Sequence, residues 1–191
     1  MTRSRAAFAR IRRRRRRTAV GADDLDVRMM ERAIALAAEA ARSGEVPIAA
    51  VVYRGEEILG EAANVREREA DPTGHAEIVA MRAAGRRLGA WRLDGCTMAV
   101  TLEPCPMCAG AAVNARLSRI VYGADDPKAG ACRTLYEIPS DLRLNHRVAI
   151  RGGVLAERCA ELLRGFFRAR RAEQKAAKDA AGPRNARARS E

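Results

Sequence analysis

The sequence has few cysteines, few histidines and no long apolar run. Its five cysteines, in a chain of 191 residues, are too few and odd in number for a disulfide framework, so we expect a reducing compartment, the cytoplasm. No apolar stretch reaches the about 18 residues of a membrane-spanning helix, so we expect no membrane partner. Apolar residues nevertheless make up 48% of the chain, which predicts a packed globular body.

Positive charge is concentrated at the two ends of the chain. Residues 1–17 carry a net charge of +9, residues 164–191 carry +6, and the part between them carries −3. This pattern indicates ends that meet polyanions. We predict an Arg-rich disordered tail over residues 1–22, one folded domain over 23–173 and a basic disordered tail over 174–191. An Arg-rich, acid-poor start also fits an organellar transit segment.

The spacing of apolar residues predicts an α/β fold. Strands alternate with helices, and this order favours a three-layer αβα sandwich, in which a mixed five-stranded sheet has helices on both faces. The segment 96–124 reads as a right-handed parallel crossover, and residues 65–74 read as a polar loop. The predicted helices are Asp23–Arg42, His75–Leu88, Cys105–Arg116 and Val154–Glu173, and the predicted strands are two within 47–64, Cys96–Pro104, Arg119–Ala124 and Arg147–Ile150.

A pair of cysteines, Cys105 and Cys108, opens the third predicted helix in the segment TLEPCPMCAGA. The spacing alone fits a redox dithiol, half of a metal site or two packed core thiols. His75 opens the preceding helix in TGHAEIV, and such helix starts converge on one rim of an α/β sheet. One imidazole and two thiolates form the three-ligand set of a catalytic zinc, whose fourth position holds water. We therefore predict one zinc ion per subunit, held by His75, Cys105 and Cys108.

Glu77 follows the predicted histidine ligand by two residues, in the first turn of its helix. A glutamate at this position either favours the helix N-terminus or exchanges protons with the water at the metal. Because Glu77 lies beside a histidine and a cysteine pair with metal-ligand spacing, we interpret it as the catalytic acid and base.

The segments HAE and TLEPCPMCAGA resemble the known signature of zinc deaminases in the cytidine deaminase-like superfamily. The similarity extends over Asp23 to Arg171 and is greatest to the bacterial tRNA adenosine deaminases, which convert the wobble adenosine of an arginine tRNA to inosine. It implies a cytidine deaminase-like fold for a zinc deaminase domain over 23–173, hydrolysis of an amidine C–N bond, a homodimer, and a tRNA anticodon stem-loop as partner.

Two other functions remain open at this level. The segment PCPMC also occurs in guanine deaminases, so a free nucleobase or nucleoside such as guanine or cytosine is an alternative substrate. A zinc-stabilised RNA-binding module without activity is the other alternative, and Glu77 argues against it.

The same resemblance implies which residues bind the substrate. Asn64 and the backbone near Ala76 would orient the flipped base, and the loop YGADDPKAGA would place Asp126 and Lys128 beside the RNA. His146 would lie near a phosphate or ribose. The terminal basic segment would contribute Arg168, Arg170 and Arg171, whereas Phe166 and Phe167 are predicted to pack in the core or at a dimer contact.

Overall fold

The computed structural model describes residues 22–180, so the calls on residues 1–21 and 181–191 in the predicted tails lie outside the described residues. Five helices, five strands and one 3-10 turn, Ile138–Ser140, follow one another along this part of the chain. The helices are α1 (Ala22–Arg42), α2 (Arg66–Glu69), α3 (Ala76–Leu88), α4 (Pro106–Asn114) and α5 (Ala156–Ala180), and the strands are β1 (Ala49–Arg54), β2 (Glu57–Ala63), β3 (Thr97–Leu102), β4 (Arg119–Ala124) and β5 (Ala149–Arg151).

The strands form one mixed sheet in the order β2-β1-β3-β4-β5. β1 is antiparallel to β2 and to β3, whereas β4 is parallel to both β3 and β5. The link from β3 to β4 passes through α4, which is the parallel crossover predicted from the sequence. The predicted five-stranded mixed sheet is thereby confirmed.

Helices cover both faces of the sheet, which confirms the three-layer sandwich. Alternate strand residues point to opposite faces, so Val52 and Val100 pack with α3 and α4 in one cluster. Val51 and Val121 pack with α1 and α5 in the other cluster. The inner strands are buried on both faces, as a sheet between two helical layers requires.

Gly60 on β2 allows α3 to lie close against the sheet. A Cβ at this position would collide with the backbone of Ala80 and Ala84, so no residue with a side chain fits without moving the helix. Because α3 begins at the functional end of the molecule, this close contact also fixes where the first turn of α3 lies.

α1 is attached to the sheet through a buried carboxylate. Asp26 is 1% exposed and accepts hydrogen bonds from the Tyr53 hydroxyl at 3.0 Å, from Arg119 at 2.5 and 3.1 Å, and from Arg151 at 2.5 Å. These partners lie on β1, β4 and β5, so a single side chain links the helix to three strands.

Two local predictions differ from the structure. The segment predicted as a polar loop contains the one-turn helix α2. α5 continues to Ala180, beyond its predicted end at Glu173, so residues 174–180 are helical although we assigned them to the basic tail. The segment EQKAAKDA (173–180) consists mostly of good helix formers, which extend an existing helix at little cost. Among residues 22–180, no helix is long and apolar enough to cross a membrane.

Candidate active site

The starts of α3 and α4 meet at one end of the sheet. His75 is the N-cap residue of α3, and Cys105 is the N-cap residue of α4, with Pro106 in the first turn. Cys108 lies inside α4 and is buried. Cys105 follows the central strand β3 closely, so the convergence predicted from the sequence occurs beside the carboxyl end of that strand.

The three predicted metal ligands lie together. His75 Nδ1 is 3.5 Å from the Sγ atoms of both Cys105 and Cys108, and all three ligand atoms lie within 4.8 Å of one another. A tetrahedral zinc ion with Zn–S bonds of about 2.3 Å and a Zn–N bond of about 2.0–2.1 Å requires N···S separations of about 3.5 Å. The side chains therefore fit a zinc ion, and three protein ligands leave a fourth position for water.

The electrostatics of the cluster also suit a cation. A hydrogen bond with Cys108 lowers the pKa of the Cys105 thiol to about 4, and His75 acts in the same direction. The hydrogen bond with Cys105, together with burial, raises the pKa of Cys108, and the hydrogen bond with Cys105 raises the pKa of His75. The thiolate is therefore favoured at Cys105, whereas Cys108 favours the thiol that donates to it.

Glu77 lies in the first turn of α3 and borders the same cavity as His75 and Cys105. It is 4% exposed, and this burial raises its pKa because a carboxylate loses its hydration there. A carboxyl group whose pKa is nearer to neutrality is suited to accept a proton and return it.

The cavity beside Glu77 has a volume of about 200 Å³, small enough to select a single base. Asn64 lines it, and its side-chain Nδ2 donates a hydrogen bond to Glu45 at 2.8 Å. Ala76 is the first residue of α3 and its side chain is buried. The full lining is Val46, Ile48, Asn64, Arg66, His75, Glu77, Leu102, Glu103, Cys105, Asp126 and Ala129.

A larger groove of about 800 Å³ shares a wall with this cavity and runs between the 125–128 loop and α5. Asp126 lines both spaces, whereas Lys128 lines only the groove. On the α5 side the groove is bordered by Ala160, Leu163, Arg164, Phe167, Arg168 and Arg171. The groove thus joins the cavity beside Glu77 to a surface that carries several cations.

The helix that borders the groove, α5, also carries Phe166, Phe167 and Arg170, which differ in their contacts with the groove. Phe167 is 41% exposed and lines the groove, so of the two predicted positions, core or dimer contact, the structure excludes the core. Phe166 is half-buried and stacks edge-to-face on Phe167. Arg170 is not among the groove residues; its guanidinium lies 6.0 Å from the centre of the Phe166 ring.

His146, like Arg170, is a predicted substrate residue that lines neither the cavity nor the groove. Its Nε2 donates to the backbone carbonyl of Leu117 at 2.6 Å. Leu117 precedes β4, whereas Asp126 follows β4. His146 therefore lies at the opposite end of that strand from the catalytic groups of the same chain.

Sequence reasoning missed two buried glutamates that support the cavity. Glu103 is 2% exposed and accepts hydrogen bonds from the backbone N–H groups of Asp126, Cys132, Arg133 and Thr134 at 2.7 to 3.1 Å. Glu45 is likewise buried and accepts a hydrogen bond from Asn64 on the other side of the cavity. In the sequence Glu103 stands between a buried strand and the cysteine pair, but this position does not by itself indicate burial.

Comparisons with known proteins agree with this geometry. The model of the MafB19-like deaminase family matches residues 25–171. The tRNA-specific adenosine deaminase of Bacillus subtilis is 46% identical over 149 residues, which cover 78% of this chain and 92% of that protein.

Two solved structures show the same relationship. A structure from a study of A-to-I editing by tRNA:A34 deaminases has a TM-score of 0.68 and 38% identity, covering 71% of this chain and 99% of the other. Guanine deaminase from Bacillus subtilis has a TM-score of 0.50 and 39% identity over 51% of this chain and 63% of that one. With its family match, its near full-length relative and its His-Cys-Cys cluster, the chain belongs to the deaminases, in the family of bacterial tRNA-specific adenosine deaminases.

Proposed function

We propose that this protein hydrolyses adenosine to inosine, with release of ammonia, at the wobble position of a tRNA anticodon, in an arginine tRNA. The observation that carries the proposal is Glu77 beside the triangle of His75, Cys105 and Cys108, at a cavity the size of one base. We place the reaction in the cytoplasm, where tRNA is used.

The cofactor we propose is one zinc ion per subunit, held by His75, Cys105 and Cys108. When bound, zinc supplies a water nucleophile at neutral pH. Glu77 takes one proton from the attacking water and passes it to the ring nitrogen. It then takes the second proton from the hydroxyl added at C6 and passes it to the amino group, which leaves as ammonia. Burial raises the pKa of Glu77 because the charged form loses hydration, so this residue holds a proton more readily than a solvated glutamate does.

The shape of the site favours a base that has left its stack. The cavity admits one base, while the adjoining groove offers room for the nucleotides on either side. Unstacking requires a few kcal/mol and is easiest in a single-stranded loop, such as an anticodon loop. We propose that Asn64 and the backbone at Ala76 orient the flipped base and that Asp126 lies beside it.

The groove carries positive charges that could bind the phosphates of an RNA, which a free base does not have. Lys128, Arg168 and Arg171 line it, and we propose that they bind phosphates of the RNA, with affinity that falls as salt rises. Arg170 and His146 lie outside both the cavity and the groove, so we propose that they contact more distant parts of the tRNA.

A second groove, of about 630 Å³, lies on the α3–α4 side of the molecule. Apolar residues line it, among them Ile78, Met81 and Ala111, together with two arginines, and Trp91 at its edge is 64% exposed. We propose that a second copy of this chain covers this surface in a homodimer, since exposed tryptophan is typical of interfaces.

The alternative substrate is a free base such as guanine or cytosine, which the cavity alone would hold equally well. Purified, zinc-loaded protein is incubated separately with arginine tRNA, guanine and cytosine, and ammonia is measured, together with A-to-G changes in cDNA of the tRNA. We expect turnover with tRNA, at the wobble position. Ammonia from a free base without inosine in the tRNA would favour the alternative, and no product from any substrate would favour a binding module.

A further inference from the structure

Glu45 lies behind the wall of the cavity, in the connection from α1 to β1, and is 4% exposed. Its Oε1 accepts hydrogen bonds from Asn64 Nδ2 at 2.8 Å and from the Val46 amide at 3.0 Å. Its Oε2 accepts from the amides of Glu67 and Arg68 at 3.0 and 3.2 Å. One carboxylate thus holds a cavity residue and the one-turn helix next to it.

These donors determine the charge of Glu45. Burial alone would raise its pKa, but the hydrogen bonds from the amides of Arg68, Val46 and Glu67 and from Asn64 outweigh burial and lower the pKa. An ionised carboxylate can only accept hydrogen bonds. Asn64 must therefore turn its NH₂ group, and not its carbonyl, toward Glu45.

The orientation of Asn64 follows from this contact. The side chain of an unconstrained asparagine can rotate and exchange the positions of its C=O and NH₂ groups. Either group could then face a base. With one N–H directed at Glu45, the side chain has its Oδ1 and its second N–H left for the cavity that it lines with Glu77. The pattern of donor and acceptor offered to a base is thus set before the base enters.

We propose that Glu45 is a positioning residue for the deamination reaction, because it fixes the amide of Asn64 in the sense that the substrate base requires. The inference rests on the proposed function, in which Asn64 contacts the flipped base. Glu45 itself does not border the cavity, although its neighbour Val46 does. It acts through Asn64, and it also holds the turn that begins with Arg66 at the cavity wall.

A purely structural role for Glu45, as a cap of α2, makes a different prediction. A cap contributes to the stability of the protein whatever residue stands at position 64. A positioning residue affects the reaction only while Asn64 is there to be positioned. The two roles are therefore separated by measuring the effect of one substitution in the presence and absence of the other.

The experiment is a double-mutant cycle on kcat/KM for inosine formation in tRNA, with Glu45→Gln, Asn64→Ala and the double variant. Glutamine has the size of Glu45, but one of its two ends is an NH₂ group, which cannot accept the hydrogen bonds that Asn64 or the amides of Glu67 and Arg68 donate. We expect Glu45→Gln to lower kcat/KM at least tenfold when Asn64 is present and less than twofold in the Asn64→Ala protein. Glu39→Gln, an exposed substitution on α1 with the same charge change, is the matched control and should leave kcat/KM unchanged.

Zinc content and melting temperature are measured for every variant. If Glu45→Gln does not fold, Glu45→Asp replaces it in the cycle. Aspartate keeps the charge but is too short to reach Asn64, so we again expect a large loss of kcat/KM with Asn64 present and a small one without it. Equal losses with and without Asn64 would overturn the positioning role, and so would an Asn64→Ala protein with unchanged kcat/KM. A wild-type protein that forms no inosine would instead overturn the proposed function, so the two failures are distinguishable.

Discussion

Each face of the sheet buries a carboxyl group, Asp26 on one side and Glu77 on the other. The two groups have opposite surroundings. Asp26, on the α1 side, lies among two arginines and a tyrosine that satisfy its oxygens. Glu77, on the α3 side, faces a cavity, and burial raises its pKa. A buried charge with strong partners holds elements together, whereas one whose pKa is shifted toward neutrality is available for proton transfer.

The comparison shows where stability and chemistry are located in this fold. The α1 face joins a helix to three strands through Asp26. The α3 face brings together two thiols and an imidazole that could hold a metal ion, with the carboxyl group of Glu77 at the adjoining cavity. Substitutions on the α1 face should therefore change unfolding, and those on the α3 face should change turnover.

Loss of a metal ligand is the sharpest way to separate the faces. We expect Cys108→Ala to abolish both zinc binding and inosine formation, because two remaining ligands cannot hold the ion in a tetrahedral site. Metal content by emission spectrometry and turnover with tRNA are measured together. Cys159→Ala, which removes a buried thiol on the α5 side, is the control and should keep both; zinc retained at full activity in Cys108→Ala would contradict the site.

Substitution of Glu77 tests the chemistry without touching the ligands. We expect Glu77→Ala and Glu77→Gln to lower kcat about 10³-fold or more while zinc content is kept, as for removal of a general acid–base catalyst. The melting temperature should not fall for Glu77→Gln, because the substitution removes a carboxylate that is costly to bury. Appreciable turnover by either variant would remove Glu77 from its role.

Substitution of Asp26 is expected to lower the stability of the protein and to leave its turnover nearly unchanged. Asp26→Asn should reduce the free energy of unfolding by about 2–3 kcal/mol, less than a fully buried pair would lose, because Arg119 and Arg151 keep contact with solvent. Urea unfolding measures the change, and kcat at a temperature where the protein is folded should stay within twofold of the wild type. Asp23→Asn, with a side chain 83% exposed that pairs with the same Arg151, should change stability by less than about 0.5 kcal/mol; equal effects of the two would contradict the comparison.

The smallest effect is expected at the groove. Arg171→Gln should raise KM for tRNA a few-fold and make it less sensitive to salt, with kcat unchanged, because one phosphate contact is lost. Arg158→Gln, on the same helix but paired with Glu31 outside the groove, is the control. A fall in kcat, or identical effects of the two variants, would show that the groove does not bind RNA in this way.

Much of the fold follows from the sequence because its signals are local. Apolar periodicity gave β4 its observed bounds and placed α1 and α3 within one residue of their observed starts. The ligand set was also within reach, since the histidine and the cysteine pair each stand at a helix start. α2 was missed because a four-residue helix has no period to detect, and its stabilising group, Glu45, comes from a distant part of the chain.

Glu45 and Glu103 could not be predicted for a physical reason. Nothing near either residue in the sequence distinguishes a buried carboxylate from a solvated one, because burial depends on amides that the fold brings from other segments. Glu103 is satisfied by residues 126–134, and Glu45 by Asn64 and residues 67–68. The residues that gather at the cavity were thus readable in the sequence, whereas the hydrogen bonds that hold its walls required the structure.

The wall shared by the cavity and the groove also bears on inhibitor selectivity; it is formed by Val46, Ile48, Leu102 and Asp126. A compound no larger than a base would meet only the catalytic groups, which deaminases of free bases need as well. A longer compound that crosses this wall and reaches Phe167 would contact side chains that serve no purpose for a free base. Discrimination between the two kinds of enzyme therefore depends on how far a compound extends from the metal.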